Sequence, residues 1–334
     1  MKLKNRKSIL SITVLVLVSI ISFWSLSKEQ TTSVLPDAEI GIPNKLVEMF
    51  PNTNWSKVDL NLANSIQGNP TIDGIPAIYN PKFIPLAEVT FLDTVRTIVL
   101  TDENETKVYP YSILNFHEIV NDTFGDTPVA VTFCPLCGSA IVYDRTLPSG
   151  KVATFGVSGW LLESNLIMYD KETSSLWQQS TGQSLAGSIF PSALKIVPMQ
   201  MMTLGEVRKS FPNAKVLSTD TGHTRDYSKN PYAEYENDTN FLFAPSSVNT
   251  LLHPKTIVAV FQTKSGTYTA VPWLALRKVD SINGTIDDET YTLQVNNGEL
   301  IITDSSGEKY PFYFEMWFSF SVQHQNNSHL IQIN

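Results

Sequence analysis

The chain has two cysteines, and they lie three positions apart in the segment Cys134-Pro135-Leu136-Cys137. A Cys-x-x-Cys pair can cycle between dithiol and disulfide, hold a soft metal ion, or form a small structural disulfide. A disulfide across so short a loop removes little entropy from the unfolded chain. Stabilisation of the fold by a disulfide is therefore a weak explanation for such a pair. We therefore expect the function to centre on Cys134 and Cys137.

The residues around the pair indicate a tight turn between two strands. Residues 127–133 and 140–143 are rich in strand-forming side chains, and Gly138 follows the second cysteine. A thioredoxin-type pair instead opens a helix, whose N-terminus lowers the pKa of the leading thiol. The segment is more similar to half of a zinc ribbon, in which a turn directs two thiolates at one metal.

A metal would need further ligands, and His117 is the best candidate because it precedes Cys134 by only 17 residues. We expect it on a helix over residues 112–120 that leads into the strand before the pair. Two thiolates and an imidazole favour zinc or copper(I). In the redox hypothesis the same imidazole would tune a thiolate. The candidate catalytic set and the alternative metal set are therefore identical: Cys134, Cys137 and His117.

A second polar cluster lies in a loop flanked by glycine and proline and contains Asp220, His223, Arg225 and Asp226. Loops commonly carry functional residues, so one hypothesis is that this cluster lines a pocket beside the cysteine pair. The alternative is that its charges brace the loop through salt bridges. Two further histidines, His324 among them, lie in a polar tail over residues 321–334 and are expected at the surface.

Strand signals dominate the chain, which predicts an α+β fold that is mostly β, with a few short helices. Candidate strands are short, rich in Val, Ile, Thr and Tyr, and separated by Gly, Asn, Asp and Pro turns. Helices are expected at residues 43–49, 112–120 and 203–210. Strands are expected at residues 96–100, 127–133, 140–143, 166–169, 256–262, 291–295 and 300–303.

Two blocks of the chain, residues 96–145 and 255–305, share a degenerate pattern. Thr97-Ile98-Val99 opens the first and Thr256-Ile257-Val258 opens the second, and the offset stays between 159 and 162 residues across the block. The pattern predicts two related β-rich subdomains with residues 150–250 inserted between their cores. The cysteines occur only in the first block, which indicates that the first copy carries the site.

The N-terminus has the pattern of a signal anchor or signal peptide over residues 1–27. Four basic residues within the first seven positions precede an uncharged, mostly apolar run, residues 8–26. The run predicts membrane contact, with the rest of the chain outside the cytoplasm either as a single-pass protein or as a secreted one. A polar linker over residues 28–42 then precedes a globular domain over residues 43–320. A disulfide is one of the states open to the pair in that compartment.

Charge and motifs exclude several classes of function. The 334 residues carry a net charge of −8, and basic residues are not concentrated anywhere beyond the first seven positions, so no nucleic-acid partner is expected. The sequence contains no Gly-rich phosphate loop, no serine nucleophile elbow and no His-Glu-x-x-His motif. Three hypotheses stay open: a thiol oxidoreductase with a redox partner protein, a copper or zinc module, and a non-catalytic surface binding protein.

Longer motifs resemble one known family, called domain of unknown function 3179, in its bacterial and archaeal branch with Cys-Pro-Leu-Cys. The motifs that carry the resemblance lie at residues 113–122, 128–139, 155–159, 164–170, 175–177, 182–187, 220–227 and 230–232. The resemblance covers about residues 70–320 and implies no settled activity. Some relatives are labelled selenoproteins, which favours redox chemistry, and others lack the pair. Residues 314–322 depart from the family pattern, so no site is expected there.

Overall fold

Short strands are the main secondary structure of the chain that the computed structural model describes, residues 41–333. In chain order they begin with β1 (Ile66–Gln67), β2 (Phe83–Pro85), β3 (Arg96–Thr101), β4 (Thr106–Pro110), β5 (Ile119–Phe124), β6 (Thr127–Cys134), β7 (Ser139–Asp144), β8 (Phe155–Leu162), β9 (Asn165–Asp170), β10 (Leu176–Gln178) and β11 (Ser184–Ala186). They continue with β12 (Lys195–Ile196), β13 (Gln200–Thr203), β14 (Lys215–Leu217), β15 (Ile257–Gln262), β16 (Tyr268–Pro272), β17 (Ser281–Ile286), β18 (Glu289–Asn296), β19 (Glu299–Asp304), β20 (Phe312–Met316) and β21 (Ser328–Leu330). All seven predicted strands are present, as β3, β6, β7, β9, β15, β18 and β19.

The helices are short. They are α1 (Asn44–Met49), α2 (Tyr111–Leu114), α3 (Leu204–Ser210), α4 (Trp273–Val279) and α5 (Trp317–Gln323), with 3₁₀ turns at Leu60–Asn64 and Leu86–Glu88. The predicted helices at residues 43–49 and 203–210 correspond to α1 and α3. Thr203 caps α3 in a capping box with Glu206, which explains why that helix could be read from the sequence. No helix within residues 41–333 is both long enough and apolar enough to cross a membrane.

The strands form four sheets, in agreement with the predicted mostly-β class. The largest has the order β21-β16-β15-β20-β7-β6-β5, with β12 paired to β7. Two five-stranded sheets have the orders β1-β8-β9-β10-β11 and β13-β3-β4-β14-β2, and a meander of β17, β18 and β19 forms the fourth.

Strand β6 lies between two hydrophobic cores, which places its last residue, Cys134, deep inside the molecule. Successive side chains of a strand point to opposite faces. Val129, Val131 and Phe133 accordingly pack in one core, while Ala130 and Cys134 pack in the other. A strand buried on both faces reads as a nearly continuous apolar run, which is the pattern of residues 129–134.

The same order of elements occurs twice along the chain. The series β3-β4-α2-β5-β6-β7 is followed later by β15-β16-α4-β17-β18-β19, and the matching strands have equal lengths of 6, 5, 6, 8 and 6 residues. The next elements also correspond, since β13-α3-β14 pairs with β3 and β4 as β20-α5-β21 pairs with β15 and β16. In each series the last strand is the parallel one.

Two regions differ from the expectations. The helix predicted over residues 112–120 ends at Leu114, because Glu118 takes a left-handed conformation with a φ of 57° and the β-branched pair Ile119 and Val120 starts β5. Residues 321–334, expected to be a polar tail, contain the end of α5 and β21, and His324 is buried rather than exposed. The predicted anchor or signal peptide, residues 1–27, lies outside the described residues.

Candidate functional site

The cysteine pair occupies the turn of the β6–β7 hairpin, as predicted. Cys134 ends β6 opposite Ser139, and the backbone N–H of Cys137 donates to the carbonyl of Cys134 at 3.2 Å. Both thiols are free, and their residues are only 1% and 0% exposed. The two sulfurs therefore lie close together in a region that is shielded from solvent.

Gly138 allows the hairpin to close at this point. Its φ is 56°, a left-handed value that glycine adopts without steric cost, and a Cβ added there would lie 3.0 Å from side-chain atoms of Ile257 and Met316. The neighbouring backbone is held by the N–H of Met316, which donates to the carbonyl of Cys137 at 2.8 Å. Strand β20 is thus fastened directly to the cysteine turn.

The surroundings of Cys134 favour a thiolate. Burial raises the pKa of this thiol, but hydrogen bonds from the Cys137 thiol and from backbone N–H groups outweigh burial and bring the pKa below its usual value. The backbone donors belong to Leu166, Cys137 and Leu136. In its thiol form, Cys134 can instead donate to the carbonyl of Ser164, at 3.9 Å.

The surroundings of Cys137 favour the protonated thiol. Burial raises the pKa of Cys137 well above its usual value, and the Cys134 sulfur and the Glu315 carboxyl raise it further. The hydroxyl of Ser319, in α5, acts in the opposite direction on Cys137. The two thiols are therefore unequal, with a thiolate favoured at the first and a thiol at the second.

Glu315 is a buried carboxyl beside the pair that sequence reasoning missed. It lies in β20, is 0% exposed, and neither of its carboxyl oxygens has a partner in hydrogen-bond geometry among the described residues. Burial raises its pKa to about 8, although the nearby hydroxyls of Ser319 and Tyr313 lower it in part. A signal was present in the sequence, because Glu315 is the one charged residue in the apolar run 312–320.

A second buried carboxyl, that of Glu118, lies near Cys134. Its backbone carbonyl accepts from the N–H of Phe133 at 2.7 Å, which brings the residue next to the end of β6. Burial, together with the Cys134 sulfur, raises the pKa of Glu118 well above its usual range. Burial therefore favours the protonated form of this carboxyl beside Cys134.

His117 is buried, but its ring nitrogens are bonded elsewhere. Nδ1 lies 2.7 Å from the carbonyl of Pro76, so this nitrogen carries the proton, and Nε2 accepts from the Tyr227 hydroxyl at 2.6 Å. Burial lowers the pKa of His117 to about 4, which keeps the ring neutral. Neither cysteine sulfur is a hydrogen-bond partner of His117 in the part of the chain described.

The predicted polar loop divides into two parts. The His223 ring lies 5.5 Å from the His117 ring, and Arg225 is near enough to lower the pKa of His117. Asp220 and Asp226 instead pair with lysines, Lys82 at 2.6 Å and Lys229 at 3.3 Å. The structure thus brings His223 and Arg225 to His117, while the two aspartates brace the loop.

Residues 227–241 pack over the cysteine turn. Tyr235 belongs to the same buried core as both cysteines, and Tyr232 packs against it. The ammonium of Lys255 donates to the carbonyls of Tyr235 and Asn240, each at 2.6 Å, and lies 3.4 Å from the centre of the Tyr235 ring. We call residues 227–241 the covering segment.

A cleft of about 340 Å³ separates part of the covering segment from the hairpin. Pro135 and Phe133, the two neighbours of Cys134, line this cleft together with Tyr232 and Tyr111. The Tyr111 hydroxyl is buried without a partner among residues 41–333.

The three residues predicted as alternative metal ligands do not form a metal site in this conformation. Across the described range, 41–333, no group of three or more His, Cys, Asp and Glu side chains is arranged to hold a metal ion. Of the expected ligands Cys134, Cys137 and His117, the imidazole has both nitrogens bonded to Pro76 and Tyr227.

Comparisons with known proteins identify a family whose function is not known. A family model described as "Protein of unknown function (DUF3179)" matches residues 72–325. No curated protein and no solved structure shows significant similarity to the chain.

Proposed function

The chain belongs to the DUF3179 family of proteins of unknown function, and we propose from its own residues that it is a thiol–disulfide oxidoreductase acting through Cys134 and Cys137. The observation that carries this proposal is the unequal environment of two adjacent free thiols. Backbone N–H groups point at Cys134, whereas Cys137 faces the buried carboxyl of Glu315. An attacking thiolate and a protonated second thiol are what two-step disulfide exchange requires.

In the first step, the Cys134 thiolate attacks one sulfur of a substrate disulfide. A mixed disulfide forms between Cys134 and that sulfur, and the other substrate sulfur leaves as a thiolate that takes a proton. Backbone donors around Cys134 stabilise its negative charge before the attack. They serve the same purpose when Cys134 later becomes a leaving group in the reverse reaction.

In the second step, Cys137 loses its proton and attacks the sulfur of Cys134. The Cys134–Cys137 disulfide forms, and the first substrate sulfur leaves as a thiolate. The pair has then lost two electrons, and the substrate disulfide has gained them. Glu315 is the group placed to accept the Cys137 proton, with the Ser319 hydroxyl near both. A carboxyl with a pKa of about 8 populates both protonation states near neutral pH, as a proton acceptor must.

Substrate access requires the covering segment to move, because both thiols are buried. The cleft lined by Pro135 and Tyr232 offers one approach to the Cys134 turn. His117 enters the proposal as a positioning residue, since it bonds to Tyr227 at the start of the covering segment. We also propose that the reaction takes place outside the cytoplasm, on the basis of the signal pattern of residues 1–27.

We further propose that the two matching series of elements are duplicated subdomains, of which only the first acquired the thiols. In the first series the β6–β7 turn contains Cys134 and Cys137, and in the second the corresponding β18–β19 turn contains Asn297 and Gly298. The same scaffold thus accepts a turn without sulfur. This supports a chemical rather than a structural reason for the cysteines.

Trapping of the mixed disulfide tests the proposed roles. In Cys137→Ser, oxidised glutathione should form a stable adduct on Cys134, because the second thiol can no longer resolve it. In Cys134→Ser, the remaining thiol should react at least about tenfold more slowly, because its thiolate is disfavoured. The adducts are measured by intact mass over time on folded protein, with both variants unfolded in urea as the control.

Unfolding should make the two variants react alike, since the environment that distinguishes the thiols is then gone. Equal rates for the two folded variants would contradict the assignment of Cys134 as the attacking residue. Absence of any adduct in the folded state, together with normal reaction in urea, would remove the oxidoreductase proposal itself.

A further inference from the structure

Two adjoining cavities are lined by neither cysteine, although Ser164, whose carbonyl lies 3.9 Å from the Cys134 sulfur, lines the larger one. The larger, of about 740 Å³, is bounded by the β8–β9 turn, the end of α5 and residues 325–327. The smaller, of about 400 Å³, shares Gln183 and Tyr268 with it. Each falls within the usual range for a ligand pocket, and we call the two together the amide cleft.

The lining of the larger cavity is polar and almost uncharged. Seven of its sixteen lining residues are asparagine or glutamine, among them Asn61, Asn64 and Gln323. The carboxylate of Glu163, the one Asp, Glu, Lys or Arg side chain in this lining, already accepts the N–H of Ser246 at 2.7 Å. His324 is neutral here because burial lowers its pKa to about 4.

Two buried polar atoms in the cleft lack a partner within residues 41–333. They are Nε2 of Gln323, in the larger cavity, and the hydroxyl of Ser180, in the smaller one. Ser180 is only 1% exposed. Buried polar atoms are normally hydrogen-bonded, and leaving them unpaired is costly. Both side chains line the cleft, so a rotation of each would present these atoms to the hydroxyl groups of a ligand.

Tyr268 supplies an aromatic surface at the junction of the two cavities. Its ring stacks on His324 with the ring centres 3.8 Å apart and the planes 20° apart. His324 is itself held by the Tyr313 hydroxyl at 3.1 Å. The Tyr268 ring is therefore fixed in place before any ligand arrives, and an aromatic ring is a suitable platform for the apolar face of a sugar.

We propose that the amide cleft binds a neutral oligosaccharide. Amide side chains present a donor and an acceptor side by side, which matches sugar hydroxyls that both donate and accept. Glu163 in the larger cavity and Lys195 in the smaller one are the charged residues among those that line the cleft, and so sparse a charge disfavours acidic or sulfated chains. The volume of the two cavities and the aromatic ring at their junction fit more than one sugar unit. Neither thiol lines the cleft, so this proposal does not depend on the proposed redox function.

Calorimetric titration of the full-length protein tests this proposal. The probes are hexamers of β-1,4-linked glucose, α-1,4-linked glucose and β-1,4-linked N-acetylglucosamine, with a sulfated oligosaccharide and a neutral Ser/Asn/Gly hexapeptide for comparison. At least one neutral hexamer should bind with a Kd below about 1 mM, and the other two classes should not. Cys134→Ser combined with Cys137→Ser should leave this Kd unchanged.

Variants locate the site within the cleft. Tyr268→Ala should weaken binding at least about tenfold, which corresponds to the loss of one stacking surface. Gln323→Leu, of similar size, should weaken it several-fold and provides the test if Tyr268→Ala does not fold. Gln294→Leu is the matched control, because this glutamine is exposed on β18 and lines neither cavity.

Binding of the hexapeptide in place of the sugars would overturn the proposal in favour of a peptide site. The proposal would also be overturned if none of the three hexamers bound with a Kd below about 1 mM. Sugar binding that survives in Tyr268→Ala and in Gln323→Leu would show that the site lies elsewhere.

Discussion

At the residue scale, Glu315 makes a prediction about pH and stability. Its pKa in the folded protein is about 8, against an ordinary value of 4.5, so the folded state holds a proton that the unfolded chain has released. Between these values the folded state binds more protons, and stability must fall as pH rises. The contribution of protonated Glu315 to the free energy of unfolding is fully present below pH 4.5 and is lost above pH 8. Between these values the free energy of unfolding falls by up to about 1.4 kcal/mol per pH unit.

Glu315→Gln isolates this effect because glutamine imitates the protonated carboxyl and does not titrate. The free energy of unfolding, measured in urea under reducing conditions at pH 5 to pH 8, should fall less steeply for the variant than for the wild-type chain. The difference between the two curves removes contributions from other groups, such as His117. A constant difference across this pH range would mean that Glu315 is not held protonated by burial.

The sequence predicted the cysteine pair and its turn, but not the carboxyl beside it. Cys134 and Cys137 are three residues apart, so their proximity is local. Glu315 reaches them only because β20 pairs with β7 and the N–H of Met316 bonds to Cys137. Such a contact depends on sheet order, which local patterns do not determine. The expected approach of His117 to the pair stays a prediction without support from its hydrogen bonds.

At the element scale, the β6–β7 turn depends on Gly138 for both conformation and space. Gly138→Ala should destabilise the fold by about 2 to 4 kcal/mol, from the left-handed φ and from contacts at 3.0 Å with Ile257 and Met316. Gly150→Ala is the matched control, since its φ is 80° but nothing lies within 4 Å of the added Cβ. It should cost only about 1 kcal/mol. Equal losses in urea unfolding would contradict the steric part of this account.

The covering segment should control the reactivity of the pair through Lys255. Lys255→Met keeps the apolar stem but removes the ammonium that binds the carbonyls of Tyr235 and Asn240. Loss of charge-assisted bonds worth about 1.5 kcal/mol or more should make local opening about tenfold more frequent. Alkylation of the thiols by iodoacetamide should accelerate by the same factor.

Lys264→Met serves as the control for that measurement, because Lys264 is exposed and remote from the covering segment in sequence. Its alkylation rate should match the wild-type rate. Should Lys255→Met also react at the wild-type rate, the covering segment would not be the barrier that shields the cysteines.

The elements themselves were largely predictable from the sequence, with one instructive failure. Residues 112–120 have helical spacing, yet α2 stops at Leu114 because Glu118 adopts a positive φ and Ile119 pairs with Thr132 of β6. Pairing with a neighbouring strand therefore overrides a local helical preference here. The result places His117 and Glu118 in a tight turn at the edge of the site.

At the scale of the whole molecule, the position of β6 between two cores explains why a buried dithiol can be tolerated. Strand β6 lies between two cores, and the corresponding β18 belongs to a separate three-stranded sheet with alternating burial. Buried thiols cost little in an apolar core, since cysteine behaves there as a small hydrophobic residue. The buried carboxyls Glu118 and Glu315 are the costly additions. Their presence beside the pair supports the proposal that this region has a chemical role.

The redox equilibrium of the pair tests the central claim most directly. The full-length protein is equilibrated across a series of dithiothreitol buffers, and free thiols are then trapped with a mass-shifting reagent. Cys134 and Cys137 should convert together between two reactive thiols and none, in a single two-electron transition with a tenfold change in ratio per about 30 mV. A pair that stays fully reduced under every oxidising buffer, or in which one thiol reacts independently of the other, would contradict the account.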